Sequence, residues 1–406
     1  MSDALFIAVV ATGFVAVLVG AVTWMLVLPA RASRAADRVL PLAEPPLARA
    51  TLLADRSAVP HAPTCEDTEA ADLATLRDAL RQAEDADQPE RATRIAQVLV
   101  RRGADEPEVR SLAAHPAASW SQLSRIEDAA WLESLAAPGL EPSLTGLMAL
   151  LGPEAITWQA FPAARYGLSR RQRVESLPQP PSVAAIAADV AAAVGVPTPV
   201  MFVTPENPAR LVHVNLAVAG RFTAALAIGA EALDVQDEAA LRFMVGRKLT
   251  FMRAEHLLCT AVDGPEDLRA IHLATAQILD PGTLPEAPER VLGLPREEAL
   301  LRLREHFLQA ERASLARRLL RAAVEQAEDP EDPAAVERWE RWLIAAAETS
   351  FRCGLVVSGD LAAALSILDR DDVIPGTDRQ HDQCYIALDR FYLSEAFASL
   401  RRALRA

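Results

Sequence analysis

The spacing of apolar residues changes once in this chain, between Pro199 and Gly229, and that change limits what it can fold into. Elsewhere apolar residues recur mainly three or four apart, the spacing of a helix face. Here PVMFVT (199–204), RLVHVNLA (210–217) and FTAALAIG (222–229) read as three short strands, with Gly220 at a tight turn. Val235 to His256, VQDEAALRFMVGRKLTFMRAEH, follows directly and reads as one buried helix. Asp237 and Glu238 fall in its first turn, where the helix dipole favours acids, and Leu241, Met244, Val245, Leu249 and Met252 keep helical spacing. The expected fold is mainly α (α+β), with one small three-stranded sheet beside a buried helix.

The rest of the chain reads as helices. Leu73 to Ala83 and Glu90 to Arg102 form a hairpin closed by Gly103, either a plain helical hairpin or the relic of a tetratricopeptide-type repeat. One such hairpin cannot bury its own face and must pack on later helices or on a partner. Helical stretches are expected at Pro116–Gly139, Leu144–Leu151, Ser182–Val194, Pro265–Leu279, Arg296–Gln326, Pro333–Leu355, Asp360–Leu368 and Gln383–Leu404, with a proline-rich loop from Pro281 to Pro295. Domain boundaries are placed at 4–28 for a transmembrane helix, 29–69 for a proline-rich linker, 70–165 for the helical region and 166–406 for the remainder.

Ala4 to Leu28 carries no charged side chain. A bilayer core needs about 20 residues of helix, so the run is long enough to span. A cleaved leader would want a basic start and a shorter apolar core, although Ala30-Arg31-Ala32 resembles a cleavage site. Arg31, Arg34 and Arg38 follow the run and Asp3 precedes it, so the positive-inside bias puts the body of the protein in the cytoplasm, tethered to the inner membrane of a bacterium. The net charge of −14 argues against a nucleic-acid partner, which would need a basic face to displace counterions. The expected partners are the membrane, through that one helix, and a protein.

Within the buried helix, VGRKLTF has the frame of a metallopeptidase zinc helix. His-Glu-x-x-His works there because histidines at i and i+4 share a face and bind one zinc, while the glutamate is the general base. The chemical positions here are Arg247, Lys248 and Phe251. The order of helix, small sheet, zinc-type helix and long helices, over about residues 182 to 368, resembles the HtpX-like and CAAX-protease-like membrane zinc metallopeptidases. In that family an edge strand beside the zinc helix pairs with substrate backbone. Its third zinc ligand lies in a Glu-x-x-x-Asp motif before Arg-x-Gly. The matching stretch is AAETSFRCGL, with Arg352 and Gly354 on the Arg-x-Gly, Phe351 at the aspartate and Ala347 at the glutamate. Glu348 is one residue off, about 100° around the helix.

A narrower resemblance is to degenerate domains of this kind in myxobacterial-type tetratricopeptide-repeat proteins. It rests on Gly246–Leu249 with Arg253–His256, on Arg352–Leu361, on Tyr166–Arg171 and on Ser394–Arg401. The resemblance implies a fold and a negative, not an activity: residues 166–406 as a degenerate metallopeptidase-like domain with no catalytic residue, metal or cofactor. The function expected of such a pseudo-peptidase is to bind or scaffold protein. The alternatives are a helical-repeat adaptor and a peptidase with a relocated metal site.

The residues nominate no other chemistry. The four cysteines lie far apart, no two of the seven histidines stand at i and i+4, and there is no nucleophile elbow or phosphate loop. His256 is expected to cap a helix end or bond a carbonyl. Asp378, His381, Asp382 and Cys384 form the one cluster of mixed metal ligands, without a recognised spacing. Arg165, Arg170, Arg171 and Arg173 suit either an anion or headgroup contact or a solvated turn. What remains is a candidate groove between edge strand and helix, lined by Val214, Asn215, Arg247, Lys248 and Phe251. It could take an extended peptide by strand addition, or its two cations could face solvent or pair with Glu255.

Overall fold

The computed structural model describes residues 47, 50, 51, 53, 54, 72–114, 123–177, 182–205, 211–233, 237–327, 332, 335–368 and 381–405. The apolar run at 4–28 lies outside them; among the described residues no helix is long and apolar enough to cross a membrane.

The hairpin is α1 (Leu73–Asp85) and α2 (Pro89–Arg101), followed by α3 (Pro107–Ala113). Asp72 caps α1 by accepting from the Thr75 amide at 2.7 Å, and Pro89 opens α2 where its missing N–H costs nothing. After one π-helical turn at Trp131–Leu135 comes α4 (Pro142–Ala155), then 3-10 turns from Ile156 to Ser176. Next are α5 (Ser182–Val194), the strands β1 (Val200–Thr204), β2 (Leu211–Val218) and β3 (Arg221–Gly229), and α6 (Glu238–Thr250). The remainder is α7 (Pro265–Leu279), the two-residue strands β4 (Arg290–Val291) and β5 (Leu294–Pro295), α8 (Arg296–His306), α9 (Ala310–Glu325), α10 (Val336–Ser358), α11 (Leu361–Leu368), α12 (His381–Leu393) and α13 (Glu395–Leu404).

The three expected strands form one sheet in the order β1-β3-β2, with β1 parallel and β2 antiparallel to β3. Both edges are covered by the segment that precedes the sheet. Phe161 bridges to Leu216 on β2, and Arg173 bridges to Phe202 on β1. Exposed edges invite pairing with other chains, and each bridge takes up one position of its edge. Alternation divides the faces. Leu211, Leu226 and Ile228 join the first core, while Phe202, Val214, Leu216, Ala225 and Ala227 form a small separate core with Leu168.

Two large cores share α10 as a spine. Trp339, Trp342, Leu343, Ala345 and Ala346 belong to one, with α4, α7, α8 and α9. Ala347, Phe351, Leu355 and Val356 belong to the other, with the hairpin, α5, α6 and the C-terminal helices. The hairpin therefore packs on this chain's own helices. Asp389 of α12, fully buried, accepts from both Arg101 and Arg102 at the end of α2 and ties the two ends of the chain together. Residues on either side of 165 share both cores, so 70–165 has no core of its own.

Several expectations change. The stretch 29–69 is not an extended linker throughout: residues 47, 50, 51, 53 and 54 are helical, and Ala50, Leu53 and Ala54 are buried in the second core. The described part of 116–139 is mostly irregular, with a three-residue helix and the π-helical turn. The loop at 281–295 contains the β4–β5 hairpin. The helix expected over 296–326 breaks at Phe307–Gln309, where His306 Nε2 meets the Leu150 carbonyl at 3.1 Å. The last helix breaks at Ser394, whose hydroxyl accepts from the Phe397 amide and starts a new one.

Candidate functional site

The helix expected over Val235–His256 is shorter. Asp237 caps α6 by accepting from the Ala239 and Ala240 amides at 2.9 and 3.3 Å. The helix ends at Thr250, whose hydroxyl donates back to the Gly246 carbonyl at 2.9 Å, and the chain then turns from Phe251 to His256. Nearly every position from Ala240 to Thr250 is buried, Arg242 and Arg247 included.

Two glycines set how closely α6 and α10 cross. A Cβ on Gly246 would lie 2.5 Å from Val357 Cγ2 and 3.0 Å from Gly354 Cα. One on Gly354 would lie 2.7 Å from the Phe243 carbonyl oxygen and 3.0 Å from Arg247 Cγ. Such contacts need glycine on both helices, because backbone cannot rotate out of the way.

This crossing brings the motif positions together. Arg247, Lys248 and Phe251 from α6 meet Ala347, Ser350 and Phe351 from α10, with His213 from β2 and Cys259 from the following turn, around a cavity of about 30 Å³. That is room for one or two waters. The Arg247 guanidinium fills the rest: its Cζ lies 4.4 Å from the Phe351 ring centroid and 5.7 Å from that of Phe243, and the residue is only 4% exposed. It therefore does not face solvent. The Glu255 carboxylate accepts from Arg253 at 2.9 Å.

Two residues of metal-ligand type, His213 and Cys259, line this cavity. The His213 Nε2 is 2.7 Å from the Lys248 carbonyl, and its ring packs edge-on to Phe251. Burial pushes its pKa down to about 3, the Lys248 charge pushes the same way, and the bond to the Lys248 carbonyl opposes them. Burial pushes the Cys259 thiol up to about 12. Among the described residues no three His, Cys, Asp or Glu side chains gather as a ligand set. The side chains of the Asp378–Cys384 cluster lie outside the described residues.

The rest of the expected groove does not assemble. Val214 points to the opposite face of the sheet, into the small core. Asn215 is held by the turn after α6: its amide donates to the Thr260 carbonyl at 3.0 Å and its carbonyl oxygen accepts from the Thr260 hydroxyl at 3.1 Å. Part of the edge of β2, around Leu216, is taken by this chain. The Phe161 amide donates to the Asn215 carbonyl at 3.0 Å, and the Ala217 amide donates to the Phe161 carbonyl at 2.9 Å. The Tyr166–Arg171 segment supports that cover, since the Tyr166 hydroxyl donates to the Asn215 carbonyl and Leu168 is buried in the small core. Arg165 stacks on Phe161 at 3.7 Å, while Arg170 and Arg171 face solvent.

Sequence reasoning missed His213, Cys259 and Ser350 at the cavity. The period-two alternation of RLVHVNLA could have placed His213 toward α6; nothing marks Cys259. It also missed a buried charge cluster. Arg253, 1% exposed, donates to Glu255, to Asp128 at 2.8 Å and to the Val194 carbonyl at 2.7 Å, and stacks on Trp131 at 3.7 Å. His256, expected to cap a helix, is fully buried and makes no side-chain cap of the following turn; its ring packs 6.1 Å from that of Trp342.

A scan against protein-family models, a search of the curated proteins and a search of solved structures each find no match to this chain.

Proposed function

We propose that this chain is a non-catalytic, zinc-peptidase-like module that serves as a protein-binding or scaffold unit, tethered by the apolar run at 4–28 to the inner membrane with its body in the cytoplasm. The observation that carries this reading is the convergence at one cavity of positions assigned separately from two motifs. Arg247, Lys248 and Phe251 come from one motif; Ala347 and Phe351 come from the other, about a hundred residues later in the sequence. The residues there are two cations, two rings and a methyl group, with an arginine lying on one of the rings. A zinc site takes three protein ligands from His, Cys, Asp or Glu and a base for its water; the five motif positions offer none of these, and His213 and Cys259 beside them make two possible ligands, not three.

Metal analysis of the purified full-length chain, with and without added zinc, tests the proposal together with cleavage of an unfolded protein substrate. The expected outcome is zinc far below one per chain and no chelator-sensitive cleavage. Stoichiometric zinc with cleavage that a chelator abolishes would overturn it and favour a relocated metal site. The adaptor alternative relied on an open hairpin face, but Leu76, Leu80, Ile95, Val98 and Leu99 are spent on the first core.

A further inference from the structure

The segment from Phe161 to Leu177 lies across one face of the three-stranded sheet. It starts at β2, where Phe161 bridges to Leu216, and reaches β1, where Arg173 bridges to Phe202. Its inner side is spent on the small core: Leu168 is buried there, with Ala163 and Tyr166 packed against it. Its outer side carries arginine. Arg165, Arg170 and Arg171 are all exposed. Arg221 opens β3 and is exposed too. Residues of a strand alternate between faces, so Arg221 shares the face of Ala225 and Ala227, the one this segment covers.

Charge is shared unevenly between this layer and the rest. Residues 161–177 and the three strands hold five arginines and a single acid, Glu175, in a chain whose net charge is −14. Glu175 is paired with Arg173 at 3.1 Å. Among the described residues none of Arg165, Arg170, Arg171 and Arg221 bonds a carboxylate, and Arg165 stacks on the Phe161 ring at 3.7 Å. The turn that carries Arg165 lies against β2, and the one that carries Arg170 and Arg171 lies against β1. The guanidiniums are thus spread over the width of the sheet. Exposed and spread cations suit a diffuse negative surface, whereas a single phosphate group is held by donors that converge on it.

We infer that this is the face the protein turns to an anionic lipid bilayer. The inference rests on the proposed tether at 4–28, which keeps the membrane within reach and lets weak contacts suffice. A body of net charge −14 beside an anionic leaflet is repelled by it overall, so the orientation that points the arginine face at the lipid is favoured. Each arginine close to such a surface contributes about a fivefold gain in contact. An acidic protein would have to compete with a surface already at hand.

The full-length chain, reconstituted into vesicles of phosphatidylcholine alone or of equal parts phosphatidylcholine and phosphatidylglycerol, tests this. A donor fluorophore on Ala164→Cys reports its distance from an acceptor on the lipid headgroups; Cys65→Ser and Cys384→Ser leave only the buried Cys259 and Cys353 besides. Energy transfer is expected to be higher in the mixed vesicles and to fall to the phosphatidylcholine level as salt rises from about 0.05 to about 0.5 M. Arg170→Gln, Arg171→Gln and Arg221→Gln together should lower the contact equilibrium at least about tenfold. Arg81→Gln with Arg91→Gln, at exposed positions on the hairpin, should leave it unchanged. Equal transfer in the two lipids, indifference to salt, or the same loss from the hairpin pair would overturn the inference and leave the arginine face to an acidic protein. Flotation separates this from the tether reading. A chain that does not float with phosphatidylcholine vesicles refutes the tether; the face is then decided by flotation with the mixed vesicles, which the parent chain should show and the triple variant should lose. Flotation with neither would overturn both.

Discussion

Gly354→Ala should destabilise this protein even though alanine is the better helix former. In an open helix interior the change would gain about 1 kcal/mol. Here the added carbon would sit 2.7 Å from the Phe243 carbonyl oxygen, 2.8 Å from Phe243 Cδ2 and 3.0 Å from Arg247 Cγ. Carbon contacts are normally about 3.5–4.0 Å, so α6 and α10 would have to part by several tenths of an ångström or more. Overpacking of this kind costs about 1–3 kcal/mol. Moving Arg247 off the Phe351 ring adds a further ~1–2 kcal/mol, the range of a desolvated cation–π contact. The expected net loss is about 2 kcal/mol, read as a fall in the urea midpoint followed by far-UV circular dichroism. Gly246→Ala should behave similarly. The double variant should cost less than the sum of the two, because helices already separated accept the second methyl more easily. A Gly354→Ala midpoint equal to or above that of the parent chain would refute the close crossing and, with it, the packing that closes the motif cavity.

Arg253→Met should cost about 3–5 kcal/mol in the same assay, since it removes a guanidinium, 1% exposed, that bonds Glu255, Asp128 and the Val194 carbonyl at once; a loss below about 1 kcal/mol would mean that the cluster is not buried as described. Acid should unfold the protein early. Burial is the largest cause in lowering the pKa of His213 and His272 to about 3 and that of His306 to about 4. Each folded pKa lies below the unfolded value, so the unfolded chain binds more protons and stability falls as pH drops below about 6.5, by about 1.4 kcal/mol per pH unit for each histidine until its folded pKa is reached. Melting temperatures between pH 8 and 4 check this: a plateau above pH 7 and a steep decline below 6 are expected, shallower in His272→Phe, and a flat profile down to pH 5 would contradict it.

Elements with a strong local signal were legible in the sequence. The alternation in RLVHVNLA and FTAALAIG placed β2 and β3 within a residue or so, and Pro265 and Leu279 bound α7 as expected. Breaks without glycine or proline were not legible. Phe307–Gln309 interrupts a good helical pattern because tertiary contacts, among them the His306–Leu150 bond, outweigh propensity. The 29–69 stretch read as a linker from its prolines, yet the short apolar patch at Ala50, Leu53 and Ala54 finds a core supplied by distant helices. At the candidate site, helical spacing within VGRKLTF and AAETSFRCGL could say which residues share a face, but not that the two faces meet. Nor could it show that Phe161, from a segment with no strand pattern, takes the edge of β2.

That edge bears on where binding can occur. Strand addition needs free backbone groups along β2, and at Asn215 and Ala217 those groups already bond Phe161. The cavity beside the edge has room for a water or two and is closed by Arg247 lying on Phe351. A cation on α6 and a ring on α10 satisfy each other there. A protein partner of the proposed scaffold would therefore meet other surfaces of the chain.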